Sequence, residues 1–566
     1  MFYIGLATDF DGTLATQGRV PDDVLESLRA FRKTERKLLL VTGRQLDDLK
    51  ACMPELTLFD RVVAENGGVL YEPAAERRRD LAPAPPPEFV ARLRARGVSP
   101  LSAGDVIVAT WEPNQQAVLE VIRELGLELQ IIFNKGAVMV LPPGVNKASG
   151  LAAALAEMRI SAHNIVGIGD AENDHAFLEA SGCAVAVANA LPMLKERADI
   201  VTKGARGQGV LEIMNAICER DADLLPPRAG IALGASADGQ TIELLPGKGS
   251  VLLAGQSGIG KSTIATALTE RMAEKQYQFC ILDPEGDFDG LDHAVTVGDA
   301  HTAAPQEEIT ALLALPSNNV VASAIGVALA DRPRYLAELL PKITAMRAAC
   351  GHPHWLIIDE AHHVLPKEDS TLPERFPRDI AGGIFITVHP GEISKAALKS
   401  VRHVIACGKK AAEVIREFCK AAEREAPDEI AACDEDAVLY WDRESDGAPV
   451  CVKPTMPVQE HKRHTRKYAE GELGEDNSFY FRGPEGKLNL RAQNLAIFVQ
   501  LAEGINDETW EFHRHAHHYS QWFRDVIKDD DLADAAETIE NSGRNAAETR
   551  RMICDEVRAR YTAPAK

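Results

Sequence analysis

Short apolar runs that stop at polar, Gly- or Asp-containing turns alternate with amphipathic stretches through the first 220 residues. YIGLATDF, KLLLVTGR, RVVAENGGVLY and NIVGIGD read as buried strands, while DDVLESLRAFRK and ASGLAAALAEMR carry helical spacing. The alternation predicts a doubly wound α/β domain with its chemistry at the carboxyl ends of parallel strands. The Pro-rich LAPAPPPEF breaks the rhythm. From there to about Gly144 the pattern predicts a small α/β insertion: a strand in GDVIVATW, a helix in NQQAVLEVIREL and strands in LELQIIFNKGAVMVL. LLPPR, from Leu224 to Arg228, reads as a linker. A second α/β pattern runs from IALGAS through SVLLAGQSGIGKST, QFCILDPEGDF, WLIIDEAHH, GIFITVHP and VRHVIACG. AVLYWDRESDGAPVCVKP predicts a hairpin around Ser445-Asp446-Gly447, and from about Glu472 the chain reads as mainly helical. The expected division is 1–220 with its insertion at about 80–144, then 226–420, a connector at 421–471, and 472–566.

Composition changes this picture little. At 566 residues, with 45% hydrophobic and 26% charged, the chain reads as a folded protein of several domains. A formal charge of −22 argues against broad nucleic-acid binding. Ten scattered cysteines without a Cys-x-x-Cys pair read as reduced thiols rather than a disulfide framework or zinc site. MFYIGLATDF lacks a basic n-region, and the apolar stretch around Val320 to Ala330 is too short to cross a bilayer. A cytoplasmic protein without a membrane partner is expected.

The first candidate site begins at TDFDGTL, where Asp9 and Asp11 end an apolar strand. Two carboxylates two residues apart, followed by Gly-Thr, offer a nucleophile, an acid/base and a turn whose amides face a phosphate. A carboxylate attacks phosphorus only if the phosphoryl charge is neutralised, so cations must come from elsewhere. Thr42 in VTGR places a hydroxyl at a strand-to-helix turn, and Lys147 opens a helix in VNKASGL. Asp170 and Asp174 in IVGIGDAEND supply hard oxygen ligands suited to Mg²⁺.

Four such motifs in order, over about 220 residues, resemble the haloacid dehalogenase superfamily of phosphohydrolases. The Thr42–Lys147 separation implies an α/β cap, and ENGG (Glu65–Gly68) is similar to the cap-bearing sugar-phosphate phosphatases. The resemblance implies Asp9 as nucleophile, Asp11 as general acid/base, and Thr42 and Lys147 on the phosphoryl oxygens. It also implies Mg²⁺ held by Asp170, Asp9 and the Asp11 carbonyl, with Asp174 and Asn173 orienting that shell. The second Asp favours phosphate transfer over dehalogenation. The substrate is expected to be a small phosphorylated metabolite such as a sugar phosphate or phosphoglycolate. Arg92, Arg94, Arg96, Trp111 and Lys135 are the cap side chains with substrate-binding chemistry, although such residues more often pack their stems on the surface.

The second candidate site is GQSGIGKST, matching G-x-x-x-x-G-K-[ST] between a strand and a helix. Gly255, Gln256, Ser257, Gly258, Ile259 and Gly260 would wrap the phosphates of ATP with backbone amides. Lys261 would reach the β/γ oxygens, followed by Ser262 on Mg²⁺ and Thr263. In WLIIDEAHH, Asp359 would hold the Mg²⁺ shell through water and Glu360 would polarise the attacking water. With ILDPEGDF and FITVHP, about 190 residues resemble HerA-type and conjugative-pump ATPases. That resemblance implies ATP hydrolysis and a homo-oligomeric ring with an arginine supplied in trans, for which Arg402 is one candidate. His389 stands where relatives often have Gln, and the preceding β-barrel reads as reduced. Three functions stay open: a phosphatase fused to an ATPase, a DNA-associated translocase acting on nucleotides or nucleic-acid ends, and an ATP-dependent switch or scaffold.

In the tail, His513 and His517 have i, i+4 spacing beside His515 and His518. A solvated or partner-facing helix is the ordinary reading and a metal site the sharper one. Trp510, Tyr519, Trp522 and Phe523 read as core.

Overall fold

The computed structural model describes residues 1–257, 259–299, 301–367, 380–430, 432–434, 436–445, 447–458, 473, 477–527 and 529–561. Gly258 and Asp446 lie outside these. The chain forms two compact units: residues 1–230, 245–247 and 345–352, and residues 231–244, 248–344 and 353–566.

In the first unit the strands are β1 (Gly5–Thr8), β2 (Lys37–Val41), β3 (Arg61–Ala64), β4 (Val69–Glu72) and β5 (Arg77–Asp80). The inserted segment adds β6 (Ser102–Ala103), β7 (Val108–Trp111), β8 (Gln130–Asn134) and β9 (Ala137–Leu141). Then come β10 (Ile165–Gly169), β11 (Cys183–Ala186) and β12 (Ile200–Val201). The main sheet has the order β12-β11-β10-β1-β2-β3-β4-β5. It is parallel from β12 to β3, and β4 and β5 continue it antiparallel. β1 is buried at all four positions and β10 at all five, as continuous apolar strands covered on both faces must be. Because β10, β1 and β2 are neighbours, the turns after them converge.

The cap has its own antiparallel sheet, β6-β7-β9-β8. The helices Pro87–Ala95 and Gln115–Leu125 close a small core of Phe89, Val90, Leu93, Val118, Val121, Val138 and Val140. The strand expected over GDVIVATW is shortened to Val108–Trp111. The amides of Asp105, Val106 and Ile107 donate instead to the carboxylate of Glu65, at 3.0, 2.7 and 3.0 Å. Glu65, buried in the ENGG turn, thereby anchors the cap to the main sheet. Gly67 in that turn has φ +103, and a Cβ there would lie 1.9 Å from the Asn146 carbonyl, so only glycine fits. The LLPPR segment is not a free linker. Leu224 and Leu225 are buried, and Arg228 pairs with Asp199 at 2.8 Å.

The second unit holds β13 (Ile231–Ser236), β14 (Thr241–Leu244), β15 (Ser250–Ala254), β16 (Phe279–Asp283), β17 (Val295–Val297) and β18 (Val320–Ser323). They are followed by β19 (Trp355–Ile358), β20 (Gly383–Thr387), β21 (Val401–Cys407), β22 (Val438–Asp442) and β23 (Val450–Pro454). All join one sheet, β14-β13-β23-β22-β21-β15-β20-β19-β16-β18-β17. β21 through β17 are parallel, and the hairpins β22–β23 and β13–β14 extend the sheet antiparallel. The strands ahead of the phosphate loop are thus an edge of the same sheet. Reduced cysteines were the expectation throughout; Cys433 and Cys451 instead form a disulfide across a sequence separation of 18. Cys433 precedes β22 and Cys451 lies within β23, opposite Leu439, so the pairing of the two strands brings them together. Among the described residues no helix is long and apolar enough to cross a membrane.

The helical tail has its own core, built on Phe479, Phe481, Phe498, Trp510, Tyr519, Trp522 and Phe523. His513 belongs to it, contrary to a solvated helix face. It is buried, its Nε2 accepts the Arg482 N–H at 3.0 Å, and its Nδ1 shares a hydrogen bond with His518 at 2.9 Å. Burial, with His518 and Arg482 nearby, pushes its pKa down to about 4. Protonation would remove the acceptor that satisfies Arg482 and leave a cation in the core. A histidine depressed from 6.5 to about 4 contributes stability that is complete above pH 6.5 and lost as pH falls through about 4. The tail is therefore expected to melt earlier at pH 4.5 than at pH 7.5. His513→Gln should flatten the drop measured by thermal denaturation, and an unchanged drop would remove His513 as its source.

Candidate functional site

The turns after β1, β2 and β10 carry Asp9, Thr42 and Asp170, and Lys147 enters from the helix Lys147–Met158. Asn146 caps that helix: its side chain accepts from the Ser149 amide while the Ser149 hydroxyl accepts from the Asn146 amide. The cap fixes Lys147 as the first helical residue. Its buried ammonium donates to Asp9 Oδ1 and Asp174 Oδ1, both at 2.5 Å. Asp174 Oδ2 accepts the amides of Asp170 and Ala171 at 2.8 and 2.9 Å, so this carboxylate orients both Lys147 and the Asp170 loop.

Asp9, Asp170 and Asp174 are all buried, with one carboxylate oxygen of each within 4.8 Å of the others. Burial, then the Asp174 carboxylate, raise the pKa of Asp9 against the pull of Lys147. Burial opposes the charge on Lys147, yet Asp174 and Asp9 outweigh it and hold the ammonium above the ordinary lysine range. Asp170 is raised as well, by burial, although Lys135 and Thr13 pull the other way. Three buried carboxylates, two of them sharing the Lys147 ammonium and the third held by Lys135, form an electron-rich donor set of hard oxygens, which fits Mg²⁺.

Arg44, Thr13 and Asn189 had no role assigned from the sequence. Arg44 grips Asp11 in a two-pronged pair, Nε to Oδ2 at 2.5 Å and Nη2 to Oδ1 at 2.8 Å, and reaches Asp48 at 2.7 Å. Thr13 donates to Asp170 Oδ1 at 3.2 Å, and Asn189 donates to the Gly12 carbonyl at 2.8 Å. Lys135, from the cap, donates to Asp170 Oδ2 at 2.7 Å. Gly12 has φ +90, and a Cβ there would meet Asp170 Oδ2 at 2.4 Å, so the turn leaves that oxygen room. Thr42 is buried, its hydroxyl accepting the Arg44 amide at 3.2 Å, and Asn173 donates to Asn66 at 3.0 Å.

In the second unit, Gly255, Gln256, Ser257, Ile259 and Gly260 lead from β15 into the helix Lys261–Glu274, which carries Ser262 and Thr263. Lys261 donates to the Gly255 and Gln256 carbonyls, both at 2.9 Å, and Ser262 donates to Asp287 Oδ2 at 3.1 Å. Asp359 and Glu360 follow β19, two strands from β15. Asp359 is buried, and its Oδ2 receives no hydrogen bond among the described residues. Burial, then Asp287, Glu360 and Asp283, raise its pKa. An orphaned buried carboxylate oxygen beside further acids fits a cation held there. Glu360 has φ +42, and its Oε2 lies 3.4 Å from His362, whose Nδ1 meets the Thr387 hydroxyl at 3.1 Å. His389 donates its amide to that same hydroxyl at 3.0 Å. Arg402 is committed within the chain, to Asp442 at 3.0 and 2.9 Å and to Glu444 at 2.7 Å.

Residues 6–83 and 107–214 match the family model of haloacid dehalogenase-like hydrolases. A phosphoglycolate phosphatase of Methanothermobacter thermautotrophicus is 35% identical over 218 residues, 37% of this chain and 95% of that protein. The chain belongs to the haloacid dehalogenase-like hydrolases. Phosphoglycolate phosphatase 2 of Saccharolobus solfataricus is 30% identical to this hydrolase over 230 residues, 38% of the chain and 91% of that protein. A solved haloacid dehalogenase-like hydrolase from Bacteroides thetaiotaomicron aligns over 38% of this chain and 99% of its own, at 19% identity and a TM-score of 0.33. Residues 249–343 match the central domain of helicase HerA. This hydrolase is therefore a phosphatase unit fused to a HerA-like P-loop domain.

Proposed function

We propose that the first unit is a Mg²⁺-dependent phosphomonoesterase in which Asp9 takes the phosphoryl group from a small metabolite of the phosphoglycolate kind. The observation that carries this reading is the Lys147 ammonium shared between Asp9 and Asp174 at the mouths of β1 and β10. It aims Asp9 and offsets the charge that builds up as a dianionic phosphate approaches a carboxylate. Asp9, Asp170 and the Asp11 carbonyl would hold Mg²⁺, which supplies further positive charge to the phosphoryl oxygens. Asp9 Oδ attacks phosphorus, the P–O bond to the leaving group breaks, and Asp11 gives that oxygen its proton. Asp11 then accepts a proton from the water that attacks the aspartyl-phosphate, releasing phosphate and restoring Asp9. Arg44 holds the Asp11 carboxylate in place at rest and releases one of its two oxygens when Asp11 carries the proton, and Thr42 hydrogen-bonds a phosphoryl oxygen. The 35% identity to a phosphoglycolate phosphatase supports the substrate class.

In the second unit Lys261, Ser262, Asp359 and Glu360 bind and hydrolyse ATP, with Mg²⁺ at Ser262 and Asp359. His362 and Thr387 brace Glu360. The match to the HerA central domain favours a second reading for this unit, a motor stimulated by DNA.

The test is phosphate release from phosphoglycolate, sugar phosphates, nucleotides and phosphorylated DNA ends, with ATP turnover measured in parallel with and without duplex DNA. Lys261→Ala is expected to lower ATP turnover on the order of 100-fold or more while leaving phosphoglycolate hydrolysis in place. Unchanged ATP turnover in that variant would remove the ATPase assignment. Hydrolysis confined to DNA ends would overturn the metabolite assignment.

A further inference from the structure

Of the cap side chains with substrate-binding chemistry, Lys135 reaches the carboxylates. Arg92 pairs with Glu88 at 3.0 Å, and Arg96 pairs with Glu120 at 2.9 Å and also with Glu124. Arg94 and Trp111 are exposed. Lys135 sits in the tight turn between β8 and β9, where it takes φ +49 and Gly136 takes φ +85. The turn projects its ammonium to 2.7 Å from Asp170 Oδ2 and 3.5 Å from the Asp11 carbonyl.

We infer that Lys135 is a specificity-determining residue that binds a carboxylate on the leaving group of the substrate, close to the ester oxygen. This rests on the phosphatase reading above. The other two cations at the site are engaged: Lys147 is buried between Asp9 and Asp174, and Arg44 is held by Asp11 and Asp48. Lys135 is paired as well, to Asp170 at 2.7 Å, but its side chain is 46% exposed on a flexible stem. Its resting partners, Asp170 and the Asp11 carbonyl, are two of the oxygens proposed to hold Mg²⁺. With those oxygens holding a divalent cation, Lys135 would lose both resting partners and its ammonium would be available to the leaving group.

Charge makes the same point. Lys147, Arg44 and the proposed Mg²⁺ together only balance Asp9, Asp11, Asp170 and Asp174, so the substrate's own phosphate dianion repels a carboxylate on the leaving group unless the cap supplies a further cation. A neutral leaving group of equal size has no such need. Lys135 therefore favours an anionic leaving group.

The test compares 2-phosphoglycolate with ethyl phosphate, which matches it in length and lacks the carboxylate, on the full-length chain. Lys135→Met keeps the stem and removes the charge. The ratio of kcat/KM for the two substrates is expected to fall about 10- to 100-fold in Lys135→Met, chiefly through KM for phosphoglycolate, and to recover in Lys135→Arg. Calorimetric binding of 3-phosphonopropionate against propylphosphonate should lose the same discrimination without turnover. An unchanged ratio, with both substrates slowed alike or neither affected, would overturn the role of Lys135 while leaving the phosphatase reading intact. Wild-type protein that hydrolyses neither ester but does hydrolyse other phosphomonoesters would also overturn the role of Lys135, and one that hydrolyses no phosphomonoester would sink the phosphatase reading itself.

Discussion

Asp9→Asn is expected to lower kcat for phosphomonoester hydrolysis on the order of 10⁴-fold or more, about 5 kcal/mol of transition-state stabilisation. The amide matches the carboxylate in size, so the loss is chemical. It is a poor nucleophile towards phosphorus and removes one hard oxygen from the buried group with Asp170 and Asp174. Lys147 keeps its partner Asp174 at 2.5 Å, so the variant should fold. The check is a steady-state phosphate-release assay together with a melting curve. A variant that melts like the wild type and turns over within about tenfold of it would rule out Asp9 as nucleophile.

Lys147→Ala should produce the largest loss of stability. The ammonium is the bond between two buried carboxylates, and deleting it leaves Asp9 and Asp174 desolvated and facing each other. Breaking one side of a buried ion pair costs about 3–5 kcal/mol, because the charge left behind is uncompensated. Denaturant titration of the first unit is the measurement. The pH dependence gives a second signature. Asp9 already has a raised folded pKa, so its stabilising contribution is present below pH 3.8 and lost as pH rises through the folded value. Without Lys147 that loss deepens, and the variant should come closest to the wild type at low pH. A deficit that grows as pH falls would contradict the geometry. Activity should fall with stability, since Asp9 is then no longer aimed.

Much of the fold was legible because each unit repeats one local rule: an apolar run, a turn carrying chemistry, and an amphipathic helix. Asp9, Lys147, Asp170 and Asp174 lie far apart in sequence, yet each sits at a strand end or helix start, and a parallel sheet gathers those ends on one side. What the sequence hid depends on long-range geometry without a local signature. Glu65 holds the cap through three backbone amides, which no residue pattern announces. Arg44 follows Thr42 by two positions, and its grip on Asp11 depends on the two turns being neighbours. Lys135 is one of several basic cap residues, and only the β8–β9 turn separates it from the arginines spent on the cap surface. Cys433 and Cys451 lack regular spacing and meet because β22 pairs with β23. His513 has the spacing of a metal ligand, yet the aromatic core around it uses its ring nitrogens for backbone and histidine partners.

The central claim is that a phosphoryl group passes through Asp9. The direct measurement is rapid acid quenching of the full-length protein during turnover of 2-phosphoglycolate, followed by proteolysis and mass spectrometry. The expected result is one phosphoryl group on the peptide that contains Asp9, at Asp9 itself, and none in Asp9→Asn. Turnover that leaves no phosphoryl group on the chain, or places it on another residue, would contradict it.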